Sequence, residues 1–332
     1  MKRMKNKVLK TALKAVKYAS AAASALISAG IITSFFPAKE KPSKGRENPL
    51  VTKDGAFVAA HRSGASIAPE NTLMAFEKCA ESKDFDVDLF EFDVHLTKDD
   101  ELIVLHDKTL DRTSNAREHF GEKDIYPETK TFDEIRKLNF GENYVDSENN
   151  QPFRGLRLGE IPENLRALSL DKLLEFLESK KDYLYSIDIK NSGEIGKKAV
   201  DKFYEILKEL NLFGRVILAS FNGDVSKYVD ENYPEFNRSA SVAEALAFYF
   251  ACAFNIDIDP EKLKFRVLQI PSNQYKIFRL GTKRLIDYAH RYNIAVQYWT
   301  INDPKEIKRL NDLGADCIMS DKPDLAYKII RG

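Results

Sequence analysis

From Ala56 onward the chain repeats one pattern: a short apolar run, a polar turn, then an amphipathic stretch with helical spacing. Eight apolar runs read as strands, at residues 56–60, 87–94, 183–189, 215–219, 237–241, 265–270, 294–299 and 315–319. Helical periods fall between them, among them Thr72–Glu81, Leu170–Lys180, Ile195–Leu210, Gly281–Tyr292 and Pro304–Leu313. Strands that alternate with helices pair in parallel, because each helical crossover returns the chain to the same end of the sheet. Eight such units in roughly 280 residues predict an α/β fold, a (β/α)8 TIM barrel. A doubly wound open sheet is the competitor, but no Gly-rich phosphate turn follows any strand. The polar stretch 113–165, rich in Asn, Glu and Gly, interrupts the repeat after the second β-strand unit. It is too long for an ordinary connection and reads as an insertion over one end of the barrel. The barrel itself is expected to occupy residues 51–332.

The start of the chain is built differently. Lys2, Arg3, Lys5, Lys7, Lys10, Lys14 and Lys17 precede an uncharged span, Tyr18–Ala38, "YASAAASALISAGIITSFFPA". A basic region followed by an apolar one is the layout of a signal peptide or membrane anchor, so residues 1–38 are expected to serve as one or the other. Basic residues before the span would keep the N-terminus inside, placing the catalytic body outside the cytoplasm, membrane-anchored or secreted. Residues 39–50, "KEKPSKGRENPL", read as a linker. The formal net charge is zero, so without the basic leader the body is mildly acidic. Such a body is a poor nucleic-acid binder, since phosphate contacts are made chiefly by Lys and Arg. Cys79, Cys252 and Cys317 are far apart and form no CxxC, which excludes a zinc ribbon, a redox pair and a disulfide framework.

A barrel of this kind puts its chemistry at the C-terminal ends of its strands. The first strand runs into "HRSGASIAPENT", presenting His61 and Arg62. In the second, Glu91 and Asp93 are two apart and share a face, which His95 continues. "LIVLHDKTLDRT" then delivers His106, Asp107 and Arg112. The third strand ends "IDIK", with Asp188 and Lys190 on one face, and later strands end at Ser220-Phe221, at Trp299 with Asn302, and at Ser320-Asp321. Two carboxylates on a strand usually mark a solvated face. Here Val87, Leu89, Phe90, Phe92 and Val94 surround them, and buried carboxylates are costly without a compensating cation. That pattern points to a divalent metal held by Glu91, Asp93 and Asp188. All-oxygen ligation suits Mg2+ or Ca2+ better than zinc. A structural Asp188–Lys190 ion pair is the alternative reading of "IDIK".

Taken together, "HRSGASIAPENT", "FEFDVHLTKDDELIVLHDKTLDRT", "LSLDKLLEFL", "SIDIK", "SF", "YWTIND" and "SDKPD" resemble the glycerophosphodiester phosphodiesterase family, in its order and from His61 to Asp324. The resemblance implies metal-dependent hydrolysis of a glycerophosphodiester to an alcohol and glycerol 3-phosphate. It implies His61 and His106 as the general acid/base pair, Arg62 and Lys190 as phosphate contacts, and Trp299 against the glycerol or head group. It also implies Glu91, Asp93 and Asp188 as metal ligands, with Glu70 and Asn71 bracing the first loop. Two positions depart from the family. Ser63 follows His-Arg where the family has Gly, and Asp188 stands where a Glu is usual. The expected partners are a small glycerophosphodiester or lipid-derived substrate and, through the N-terminal segment, a membrane; no nucleic acid is expected. Two rival readings share these residues. One is a lysophospholipase D or other phospholipase-type phosphodiesterase acting on membrane lipid or a glycerophosphate surface polymer, which an apolar rim on the insertion would favour. The other is a non-catalytic phosphate-binding barrel.

Overall fold

The computed structural model describes residues 47–274 and 278–332. The membrane or signal segment expected in residues 1–38, and most of the linker, lie outside the described residues. Eight strands run in parallel: β1 Phe57–His61, β2 Leu89–Leu96, β3 Leu184–Ile189, β4 Val216–Ala219, β5 Asn237–Arg238, β6 Val267–Ile270, β7 Ala295–Tyr298 and β8 Cys317–Ser320. Their spatial order is β5-β4-β3-β2-β1-β8-β7-β6. The two ends of this order meet through a parallel bridge between Ser239 and Val267, so the sheet curls into a barrel. The fifth strand, expected at 237–241, pairs regularly over two residues only. Its sequence "NRSAS" offers little β-branched or aromatic surface for a longer ladder.

Among the described residues eight helices cover the outside: α1 Leu73–Ala80, α2 Leu170–Glu178, α3 Gly193–Leu210, α4 Gly223–Asn232, α5 Val242–Ala253, α6 Lys283–His290, α7 Pro304–Asp312 and α8 Pro323–Arg331. The alternation within β2 shows why strand and helix register lock together. Phe90, Phe92 and Val94 point outward into the helix-facing core, whereas Leu89, Glu91 and Asp93 take the opposite face. Phe76 of α1 meets Phe90 and Phe92, each with ring centroids 5.4 Å apart. A one-residue slip would exchange these rings with the carboxylates, so the register is strongly specified.

The lower half of the barrel interior is apolar, filled by Leu50, Ala59, Leu89, Ile217, Val267, Ala295 and Cys317. Leu50 enters from the segment that precedes β1. Asn48 fixes that segment by donating from Nδ2 to the carbonyls of Arg266 and Asn293, both at 2.9 Å. These carbonyls lie just before β6 and β7, so the chain reaches the barrel at the end opposite the strand C-termini.

The segment read as an insertion leaves between β2 and α2, inside the second unit. Just ahead of it a short strand, Leu102–Val104, runs antiparallel to the overlong β2. With Leu110 from that approach, the segment builds a small core around Ile125, Ile135, Leu138 and Phe140. Phe120 and Phe132 pack against this core, and Tyr144 meets Phe153. Its aromatic residues are therefore mostly spent on holding the segment together. The rim expected to discriminate lipid from soluble substrates is not apolar there: Tyr126, Val145 and Leu158 are the exposed large hydrophobic residues, and they are scattered. Among the described residues no helix is long and apolar enough to cross a membrane.

Candidate active site

A cavity of about 620 Å³ opens at the C-terminal ends of the strands. His61, Arg62, Glu91, Asp93, His106, Asp188, Lys190 and Trp299 all line it. Residues spread over nearly 240 positions of sequence are thus brought together by strand topology alone. Glu70 and Asn71 do not reach the cavity and act from behind it. His95 is buried beyond it, and that burial pushes its pKa down to about 4; it continues the face of Glu91 and Asp93 but does not join their site.

β1 ends in a turn of three consecutive left-handed residues, Arg62 (φ 48°), Ser63 (φ 62°) and Gly64 (φ 87°). Side chains rarely adopt this region, and such strain persists only where the surroundings over-determine it. Ser63, the departure from the family's Gly, is compensated by its hydroxyl. Oγ donates to the Arg62 carbonyl at 2.5 Å and accepts from the Asn71 amide at 3.2 Å. The Arg62 amide donates to Glu91 Oε2 at 3.0 Å, joining the turn to β2. At Gly64 a Cβ would sit 2.8 Å from Cys79 Sγ, so glycine is required there on both counts.

Each imidazole is gripped at Nδ1 by a carboxylate. His61 Nδ1 lies 2.6 Å from Asp321 Oδ1, while its Nε2 lies 3.2 Å from Thr300 Oγ1 and 3.9 Å from Glu91 Oε2. Asn302 orients Asp321, donating from Nδ2 to Oδ2 at 2.7 Å. Burial works against a charged His61, but Glu91 and Asp321 together outweigh it and raise its pKa. His106 Nδ1 lies 2.8 Å from Asp107 Oδ1. The hydrogen bond from His106, then the contacts from Arg112, hold Asp107 well below the usual carboxylate range. Arg112 also reaches Glu70 with two hydrogen bonds, at 2.6 and 2.9 Å, and Glu70 accepts from Arg62 Nη1 at 3.1 Å. A continuous chain of alternating charges therefore runs from the cavity-lining Arg62 to His106. Glu70 braces this chain, and Asn71 donates to Asp93 Oδ2 at 3.2 Å.

The third element is the acidic wall. Lys190 Nζ stands 2.7 Å from both Asp93 Oδ1 and Asp188 Oδ2. Burial and the neighbouring Asp93 raise Glu91 to about 7. Burial also raises Asp188, whereas in Asp93 the pull of Lys190 and other cations wins over burial and lowers it. Three buried carboxylates against one ammonium leave excess negative charge, and Asp188 Oδ1 has no hydrogen-bond partner although buried. An unsatisfied buried carboxylate oxygen is expensive. Among the described residues no three His, Cys, Asp or Glu groups close on a common point, and the Lys190 ammonium holds the place between Asp93 and Asp188. The donor chemistry and the orphaned oxygen nonetheless fit a hard, oxygen-seeking cation.

Sequence reasoning placed Asp107, Arg112, Asn302 and Asp321 at strand ends but gave them no task. Their acidic and amide side chains were visible; the signal was their place beside the histidines, which needs the fold. Asp321→Asn is expected to lower kcat about 10- to 100-fold, the range for removing an outer partner of a functional histidine. It should also move the His61 titration to lower pH, because a carboxylate that favours imidazolium is lost. Following the His61 ring proton by NMR checks this; an unmoved titration would leave Asp321 a merely structural role.

With this geometry in view, the chain can be set against known proteins. Residues 61–325 match the model of the glycerophosphoryl diester phosphodiesterase family. A glycerophosphodiester phosphodiesterase of Caldanaerobacter subterraneus subsp. tengcongensis is 27% identical over 275 residues, covering 83% of this chain and 98% of that one. A lysophospholipase D of Rattus norvegicus is 26% identical, covering 80% and 82%. An Oleispira antarctica phosphodiesterase, solved with the product sn-glycerol-3-phosphate, superposes with a TM-score of 0.62 at 19% identity, over 84% of this chain and 98% of that one, and shows the shared fold. A parallel barrel with its polar cluster at the strand C-termini, matched across nearly its whole length, defines a phosphoric diester hydrolase. The chain belongs to the glycerophosphoryl diester phosphodiesterase family.

Proposed function

We propose that the chain hydrolyses glycerophosphodiesters to an alcohol and glycerol 3-phosphate, with His61 and His106 exchanging protons and a divalent cation bound at Glu91, Asp93 and Asp188. The observation that carries this reading is the pairing of two imidazoles in one cavity, each held at Nδ1 by a carboxylate; at Nε2, His61 has the Thr300 hydroxyl at 3.2 Å, a partner that a substrate oxygen can replace.

A phosphodiester is anionic and resists attack, so positive charge must meet it, most strongly in the transition state. Arg62 supplies one such charge from the β1 turn. Lys190, its pKa raised because Asp93 and Asp188 outweigh burial, supplies another that stays protonated throughout. Mg2+ or Ca2+, held by the three carboxylates, would add Lewis-acid stabilisation of the phosphate oxygens. His61, biased toward imidazolium, starts as the acid and protonates the leaving alkoxide at Nε2. His106 starts as the base and takes the proton of the attacking hydroxyl, either the substrate's own glycerol hydroxyl or water. If the glycerol hydroxyl attacks, the resulting cyclic phosphate is opened by water with the two roles reversed.

Residues 1–38 are proposed to export or anchor the barrel. The reading is tested by incubating the protein with glycerophosphocholine and Mg2+, Ca2+ or Mn2+ and measuring glycerol 3-phosphate. Release with at least one metal is expected. Silence with every metal, on this and other glycerophosphodiesters, would remove the assignment.

A further inference from the structure

Away from the charged groups the cavity is lined largely by hydrocarbon, from Ala245 and Leu246 of α5 and Leu268 and Ile270 of β6. Gln269 breaks that lining. On β6, Val267 belongs to the apolar lower interior, and Gln269, two residues on, shares its face and lines the cavity. An amide in such surroundings is costly unless it is paired. Gln269 Nε2 is paired twice, donating to Ser186 Oγ at 2.7 Å and to Gln297 Oε1 at 3.0 Å. Gln297 is fully buried, which fixes its amide and, through it, that of Gln269. Among the described residues none donates to Gln269 Oε1, and that atom is not sealed in; it is open to the cavity.

The partners of Gln269 also fix its depth. Ser186 pairs in register with Glu91 on β2, and Glu91 with His61 on β1. Gln269 therefore reaches across the barrel to the layer of His61 and Glu91, one layer beneath Asp93 and Asp188. Below it the interior is closed by Leu89, Ile217, Val267 and Ala295, all buried. The open amide atom thus lies at the cavity floor, and a group that meets it must be compact and polar. The amide pair also says which kind of polar group. Gln297 Nε2 is buried without a partner. Turning both amides over would pair it with Gln269 Oε1 and present Gln269 Nε2 to the cavity instead. A hydroxyl both donates and accepts, so it pairs with either end of the amide. A carboxylate only accepts and an ammonium only donates.

We propose that Gln269 is a specificity-determining residue that hydrogen-bonds the terminal hydroxyl of the substrate's glycerol and so restricts the enzyme to phosphodiesters of unsubstituted glycerol; the proposal rests on the phosphodiesterase reading for its chemistry. With the phosphate at Arg62 and Lys190, the middle hydroxyl of glycerol stays beside it, where it can attack. The terminal hydroxyl is the one with the reach to the floor. A substrate without it leaves the Gln269 amide unpaired in a closed pocket. An acyl group on the same oxygen removes the donor as well and must be driven into the packed lower interior. The head-group alcohol extends toward the opening and is not read by this residue.

The test compares glycerophosphocholine with 2-hydroxypropyl phosphocholine, which keeps the attacking hydroxyl and lacks the terminal one. Wild type should favour the first by about 100-fold in kcat/KM, the effect of leaving a buried amide unpaired. Hexanoyl lysophosphatidylcholine, below its micelle concentration, should be no better than the deoxy compound. Gln269→Met keeps the length and removes the amide, so the ratio between the two diesters should fall to about threefold or less. Gln269→Asn, whose amide ends one methylene short, should lose most of the ratio too, and it carries the comparison if a thermal melt shows the Met variant unfolded. Trp299 is the chain's single tryptophan and lines the cavity, so its fluorescence reports occupancy without turnover. By that signal wild type should bind glycerol 3-phosphate more tightly than 2-hydroxypropyl phosphate, by a similar factor. A wild-type ratio near one, lysophosphatidylcholine turned over as well as glycerophosphocholine, or a ratio that survives in a folded variant overturns the proposal even if glycerophosphocholine is cleaved. If no diester is cleaved, the phosphodiesterase reading fails, and the two phosphates alone decide: equal binding, or none, overturns the subsite.

Discussion

Replacing His61 or His106 with alanine is expected to lower kcat for glycerophosphocholine by about two to four orders of magnitude, the usual worth of a positioned acid or base. The two losses should not multiply in the double variant, because the groups act as one proton-exchanging pair. Folding should survive in both cases. Each ring sits at the cavity wall, and its main partner is a carboxylate that water can satisfy once the ring is gone. Circular dichroism and a thermal melt beside the kinetics separate the two effects. For His61 there is also a pH signature. Its folded pKa is raised above the ordinary value of 6.5. The stability it lends is therefore complete below that value and is lost as pH climbs through the raised one. His61→Ala should remove this part of the pH dependence of stability. Near-normal turnover in either variant would end the acid/base assignment.

Stripping the protein of divalent cations should cost roughly a thousandfold or more in rate, since several kcal/mol of charge stabilisation at the phosphate is lost. Binding has a second readout that needs no activity. At a hundredfold excess over Kd, Mg2+, Ca2+ or Mn2+ should stabilise the fold by about 2.7 kcal/mol, visible as a rise in Tm. With Glu91 raised to about 7, metal must displace a proton, so affinity should weaken as pH falls below that value. Without metal the sign for Glu91 is clear. Between its ordinary 4.5 and about 7 the folded state holds a proton that the unfolded state has released, so rising pH costs stability through that window. Asp188→Glu, one methylene longer, should keep or improve metal binding. If that variant shows no Tm shift with any cation while wild type does, position 188 is not a ligand.

The charged half of the site was legible in the sequence because its chemistry is local. Glu91 and Asp93 two apart on an apolar strand, and Asp188 and Lys190 two apart on another, declare their shared face before any fold is known. Histidine directly after a buried run does the same. Asp321, Asn302, Asp107 and Arg112 were visible only as strand-end residues, since an orienting group is defined by what it touches, and His61 and Asp321 are 260 positions apart. The insertion was read as the place to look for a lipid-facing rim. The structure spends most of its aromatics on a private core, a use that spacing along the chain does not distinguish from an exposed rim.

Period and composition, then, determined the class of fold and which polar residues share a strand face, because strand alternation and helical spacing are set by backbone geometry within a few residues. Only the tertiary structure decided which groups share a cavity and which merely brace it, since that depends on closing eight strands into one ring. It also placed Lys190 between two carboxylates, set an unpaired Asp188 oxygen beside them, and joined a hydrocarbon-lined half to a charged one. These are contacts between distant elements. No spacing along the chain encodes them; they follow from the shape of the closed barrel.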